Sequence, residues 1–200
     1  MTHKQCCMAC LGLRVRELSA LFYARVLPDR KERILATCEE LLQAGSVKER
    51  TLAFDWAYRQ RKSFTPEDFL RLRSWLEPYV RSWSACDDLC IHALGCLLER
   101  FPQLVPQAIP WTGSANRWIR RVSAVCVIFS LRRGHALADA LKVADVLLLD
   151  PDIMVQKGYG WMLKEATRSF LEPVMDFVMR HRREMPRTAL RYAIEKLPPD

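Results

Sequence analysis

Three stretches at an even interval constrain this 200-residue chain more than any other feature in it. They are Trp83-Ser84-Ala85-Cys86-Asp87, Trp118-Ile119-Arg120-Arg121 and Gln156-Lys157-Gly158-Tyr159-Gly160-Trp161. Trp83 precedes Arg121 by 38 residues, and Arg121 precedes Trp161 by 40. That interval is the length of one helix pair in a HEAT-type repeat, and residues recurring at the repeat period stack on one face of the array. The spacing therefore predicts that an acid, an arginine and two tryptophans line one concave wall.

The remaining pattern is helical. Apolar residues recur at helical spacing at Val15, Leu18, Phe22 and Val26, then at Ile34, Leu35, Cys38, Leu41 and Leu42, and again at Leu52, Phe54, Ala57 and Tyr58. Thr65-Pro66-Glu67-Asp68 combines a capping hydroxyl, a proline and early acids, which is a helix start. Asp150-Pro151-Asp152 repeats that signal, and Pro173 and Pro186 mark two further starts. Gly45, Gly113 and Gly134 fall between periodic segments, where helix ends favour positive φ. A strand over Val122 to Phe129 is the one rival, but Trp118, Val122, Val125 and Phe129 keep the spacing of a helix face. The reading is an all-α, HEAT-like helical-repeat solenoid (an α-α superhelix) of about ten to eleven helices. Residues 1–12 show no period and are expected to fray, leaving residues 13–200 as a single HEAT-like repeat domain.

Charge narrows the partner. The formal net charge is +8, and Gly113 to Arg133 contains five arginines and no acid. Such a balance favours a polyanion. The longest apolar run, Val122 to Leu131, is interrupted by two serines and is too short to span a membrane. The N-terminus lacks the basic start, apolar core and cleavage site of a signal peptide. The eight cysteines then read as reduced thiols of an intracellular, cytoplasmic protein. Cys6, Cys7 and Cys10 have no second Cys or His pair at zinc-finger spacing, so no metal is assigned.

The three stretches also resemble the DNA alkylation repair (AlkD-like) DNA glycosylases. The pattern of that family has a Trp with an Asp four residues on, then a Trp-x-x-Arg helix, then a Gln-Lys-x-x-Gly-Trp-x-Leu-(Lys/Arg)-Glu helix. Here these are Trp83 with Asp87, Trp118 with Arg121, and Gln156 to Glu165. The segment Arg187 to Ala193 fits the closing helix of the family, and the resemblance runs from about residue 12 to residue 197. Members usually carry more helix in front of this point, so the first repeat is expected to be incomplete. The resemblance implies a monofunctional, monomeric glycosylase without metal or other cofactor. Such an enzyme acts on double-stranded DNA containing alkylated bases, without the enclosed base pocket that most base-excising enzymes use.

Under that resemblance Asp87 is the catalytic carboxylate, steadying positive charge on the deoxyribose as the N-glycosidic bond of a cationic N3- or N7-alkylpurine breaks. Asp88 points about 100° away round the helix and is expected to cap or ion-pair. Trp83 and Trp161 form an aromatic floor and wall, each worth roughly 0.5–2 kcal/mol toward a cation. Arg121 is assigned to a phosphate, for which its fork is suited. Arg117 shares the stripe of Arg121, Lys157, Lys164 and Arg168 flank Trp161 on one stripe, and Arg187 and Arg191 form another pair. All are assigned to DNA. Trp56, Trp75, Trp111 and Trp118 are assigned to the core, where tryptophans of helical arrays usually lie. Gly158 and Gly160 cost a helix roughly 1 kcal/mol each, which calls for close approach of another group. Two other functions fit the residues: a DNA-structure binder without catalysis, and a protein-binding helical adaptor.

Duplex binding on this reading is salt-sensitive. With about five phosphates contacted, log K against log salt should slope near −4 to −5. A flat response in a fluorescence-anisotropy titration rejects both DNA-based readings and favours the adaptor.

Overall fold

Capping chemistry and buried stripes determine where the helices of this chain lie. In the computed structural model, residues 15, 17–26 and 30–196 are described, and no strand occurs among them. The expected fraying of residues 1–12, and Cys6, Cys7 and Cys10, lie outside the described residues. The chain divides between Phe64 and Thr65 into two compact units, where the sequence pattern treats residues 13–200 as one repeat domain.

In the first unit, α1 (residues 17–26), α2 (Lys31–Ala44) and α3 (Val47–Arg59) pack around a small core. Gly45 closes α2 at φ 84°. Ser46 and Glu49 then cap α3 reciprocally, the Glu49 N–H donating to Ser46 Oγ at 3.4 Å and the Ser46 N–H to Glu49 Oε2 at 3.1 Å. Ile34, Leu35, Cys38 and Leu42 of α2 are buried, as are Ala53, Phe54, Trp56 and Ala57 of α3. Polar contacts bind α1: Trp56 Nε1–H donates to the Ser19 carbonyl at 3.3 Å, and the Ser19 hydroxyl donates to Asp55 at 2.5 Å.

The second unit carries the candidate site. It contains α4 (Asp68–Ser74), α5 (Leu76–Tyr79) and α6 (Trp83–Leu89), and α6 runs through a π-helical turn at Cys90–Leu94 into α7 (Gly95–Arg100). A 3₁₀ segment, Pro102–Gly113, follows. Pro106 and Pro110 lack the N–H that a regular helix would need there. After it come α8 (Arg117–Val125), α9 (Ile128–Leu131), α10 (Leu137–Val146), α11 (Ile153–Ala166), α12 (Leu171–His181) and α13 (Arg187–Ala193).

Val122 to Phe129 is thus helical apart from a short break after α8. The proline-led starts are realised with local differences. Asp68 reaches back to accept the Thr65 N–H at 2.7 Å, while Asp152 caps α11 by accepting the Met154 N–H at 2.8 Å. Gly134 adopts φ 78°, but Gly113 closes the 3₁₀ segment without entering the left-handed region. Trp75 and Trp111 are buried, and Phe69 stacks on Trp111 at 6.0 Å. Trp118 departs from its core assignment. It is only half-buried, because Val122 and Val125 fill the interior of α8 while the Arg117 guanidinium lies 4.8 Å from the centre of its ring.

Helix α11 packs against both α8 and α13. A Cβ added at Gly160 would lie 2.7 Å from the Ala189 carbonyl oxygen and 2.8 Å from Tyr192 Cβ, so the close approach at this position is to α13. Alanine there gains about 1 kcal/mol of helix propensity but overpacks a backbone contact at a cost of about 1–3 kcal/mol. Gly160→Ala should therefore lower unfolding stability, which denaturant titration measures; increased stability would show that α13 yields without cost.

Candidate active site and nucleic-acid interface

Ser82 begins α6 by accepting the Ala85 N–H at 3.2 Å, which puts Trp83 and Asp87 one turn apart on one face. The Trp83 side chain is exposed at 51%. Asp87 is half-buried and faces Arg121 of α8, which is only 4% exposed. Arg121 Nη2 donates to Asp87 Oδ1 at 2.8 Å and Nε donates to the same oxygen at 3.2 Å. Its Nη1 donates to the Met154 carbonyl of α11 at 2.7 Å. One guanidinium thus joins three helices.

The local packing makes this possible. A Cβ on Gly158 would lie 3.1 Å from Arg121 Cγ and 3.4 Å from Nη1, so the bare helix surface at Gly158 is where the arginine lies. Beside the pair, Cys86, Cys90 and Cys126 are buried. Burial pushes the Asp87 carboxyl upward, and Arg121 offsets part of that shift by its charge and hydrogen bonds. Burial also disfavours the Arg121 charge, but the groups facing it, Asp87 first among them, more than restore it. A charged pair results, with one carboxylate oxygen gripped twice and the side chain still 20% accessible.

Trp161 shares the face of α11 that carries Met154 and Gly158, at helical spacing. It is half-buried, and its Nε1–H donates to Glu165 Oε1 at 3.2 Å. Glu165 is a buried hub that the sequence pattern recorded only as the end of a motif. Arg132 Nε lies 2.9 Å from its Oε2, Arg168 Nε 3.5 Å from the same oxygen, and Lys196 Nζ 3.4 Å from Oε1. Its position among buried Met162, Leu163 and Ala166 was the available signal, since a carboxylate there needs partners.

The cations assigned to DNA separate into two groups. The acid-free run from Gly113 to Arg133 is not acid-free in space: Arg117 pairs with Asp152, Arg120 with Asp150, Arg121 with Asp87, Arg132 with Glu165, and Arg133 with Glu99. Arg117 remains half-exposed, but the guanidinium of Arg121 is turned inward. Lys164 pairs with Glu195 at 2.9 Å, and Arg168 reaches Glu165. By contrast Lys157, Arg187 and Arg191 line one cleft of about 370 Å³ with Ile153, Thr188 and Tyr192, and among the described residues no acid lines it. Asp88 faces His92 one turn on, its carbonyl oxygen 2.9 Å and its Oδ1 3.8 Å from His92 Nδ1.

Burial alone would raise Glu165, yet the hydrogen bond and charge of Arg132, then Trp161 and Lys196, hold it at about 2. A folded-state value below the ordinary 4.5 means that its contribution is complete above pH 4.5 and is lost as pH falls toward 2. The shift corresponds to on the order of 3 kcal/mol. Glu165→Gln should lower stability at neutral pH and flatten the acid limb of a stability–pH curve; an unchanged acid limb would show that Glu165 does not contribute to it.

The sequence pattern of the DNA alkylation repair enzyme family matches residues 3–197. No curated protein matches the chain significantly. Among solved structures, a predicted DNA alkylation repair enzyme from Enterococcus faecalis is similar with a TM-score of 0.81 and 17% identity, covering 93% of this chain and 85% of that one. The smu.31 protein from Streptococcus mutans is similar with a TM-score of 0.65 and 16% identity, covering 94% of this chain and 99% of that one. These likenesses carry the all-α helical-repeat fold. The match along nearly the whole sequence carries the family: this chain belongs to the DNA alkylation repair enzymes.

Proposed function

We propose that the chain is a DNA glycosylase that binds duplex DNA and hydrolyses the N-glycosidic bond of cationic N3- or N7-alkylpurines. The observation that carries this reading is the Asp87 carboxylate, gripped on one oxygen by buried Arg121 and set one turn from exposed Trp83. Family membership supports a repair role, and the Lys157, Arg187 and Arg191 cleft supports a phosphate backbone as partner.

In the proposed reaction the C1′–N bond breaks with its electron pair passing to the base, which leaves neutral because it began as a cation. Positive charge develops on the sugar, where the Asp87 carboxylate opposes it. A water oxygen then bonds to C1′ and loses its proton to solvent through Asp87. Trp83 and Trp161 offer their ring faces to the cationic groups. Arg121 acts here as a positioning residue: it fixes which Asp87 oxygen is occupied and keeps the carboxylate ionised. Its burial favours this role over the phosphate contact expected from spacing.

Asp87→Asn retains shape and removes the charge. Single-turnover release of N7-methylguanine from duplex DNA should fall by about 100- to 1000-fold, with duplex affinity unchanged or slightly higher. Asp88→Asn should do far less. Arg121→Ala should slow excision more than it weakens duplex binding, since its guanidinium serves Asp87 rather than phosphate. A wild-type rate in folded, DNA-bound Asp87→Asn sinks the assignment; duplex binding without excision by the wild-type protein points to the non-catalytic DNA binder.

A further inference from the structure

Trp161 is the one aromatic of the proposed site whose ring nitrogen is held by a buried charge. Its Nε1–H donates to Glu165 Oε1 at 3.2 Å, from a residue one turn later on α11. Glu165 is only 3% exposed, and its other contacts come from separate parts of the second unit: Arg132 from the end of α9 at 2.9 Å and Lys196 from beyond α13 at 3.4 Å. Arg168 adds a third cation at 3.5 Å. Neither carboxylate oxygen can therefore turn away without breaking an ion pair. The Arg132 guanidinium also stands 6.0 Å from the centre of the Trp161 ring, flanking the indole.

An indole on a helix surface has two side-chain torsions and several rotamers open to it. An aromatic wall stabilises a cation only when its face is presented at contact distance, and small displacements of positioning groups are costly in rate. A donor locked onto an immobile carboxylate removes that freedom. The exposed Trp83 has no such partner among the described residues, so the two tryptophans differ in how firmly they are held.

We propose that Glu165 is a positioning residue for Trp161: with Arg132 and Lys196 it clamps the indole N–H and sets the angle of the ring face toward the reacting sugar and base. This rests on the glycosylase reading for its catalytic consequence, but the clamp itself is a property of the free protein.

The test combines exchange and kinetics on the full-length protein. In ¹⁵N–¹H spectra, the Trp161 indole resonance is identified by its loss in Trp161→Phe. It should exchange with solvent about tenfold or more slowly than that of Trp83. Glu165→Leu should abolish the difference and slow single-turnover release of N7-methylguanine by about 10- to 100-fold, with duplex affinity changed by less than about threefold. Glu165→Gln, which keeps an acceptor oxygen, should recover part of both. If Glu165→Leu does not fold, Trp161→Phe serves instead, since it keeps an aromatic face, cannot donate, and leaves the ion pairs intact; it should slow excision to a similar degree. Equal exchange at Trp161 and Trp83 in the wild type overturns the clamp. So does wild-type excision by either folded Glu165→Leu or Trp161→Phe. If the wild-type protein releases no alkylpurine at all, the glycosylase reading falls, and the exchange comparison alone decides whether Glu165 holds the indole.

Discussion

The ion pair of Arg121 with Asp87 is the contact on which the arrangement of the second unit depends. Removing a guanidinium from water is unfavourable unless every direction it points in is answered. Here Asp87 answers from α6 and the Met154 carbonyl from α11. Each partner sits on a helix whose position is fixed by other contacts, so the charge is satisfied only when α6, α8 and α11 are all in place. A buried pair of this kind adds little net stability over an apolar replacement, but removing one partner leaves the other charge buried and unanswered.

The neighbouring arginines extend that logic along α8. Arg117 and Arg120 reach Asp152 and Asp150, on the loop that starts α11. Arg120 binds both Asp150 oxygens, at 2.6 and 3.3 Å, and also the Ser114 carbonyl at 2.9 Å. Asp152 meanwhile caps α11. The helix that carries Lys157 and Trp161 is thus tied to α8 at its N-terminus by side chains and against its middle by Arg121 lying on Gly158.

Much of this was legible in the chain, and the parts that were not have physical causes. Helical spacing and capping signals located most helices, because both are local. The repeat interval foresaw that Asp87 and Arg121 share a neighbourhood, since repeats stack in register. What spacing could not convey was depth. Arg121 lies on the same helix as exposed Arg117, and only the bareness of Gly158 on a distant segment decides that its side chain lies inward. Nor could a linear charge count see that five arginines without a nearby acid each find one across helices. Glu165 was recorded only as the end of a motif for the same reason: of its three cations Arg168 is near in sequence, but Arg132 and Lys196 are 33 and 31 residues away. Trp118 misled because a tryptophan on an apolar stripe can still sit at the edge of the core.

The bare surface at Gly158 has a consequence for how this protein can vary. A Cβ there would lie 3.1 Å from Arg121 Cγ, so Arg121 would have to give by a few tenths of an ångström. A larger side chain would push it further, while α11 itself stays helical. Such a variant would keep its secondary structure, and the displaced guanidinium would take with it the setting of a carboxylate on a third helix. Position 158 is therefore coupled to Asp87 more closely than its distance in sequence suggests. A substitution that looks harmless, or even favourable to the helix, would reach the Asp87 carboxylate through one intermediary side chain.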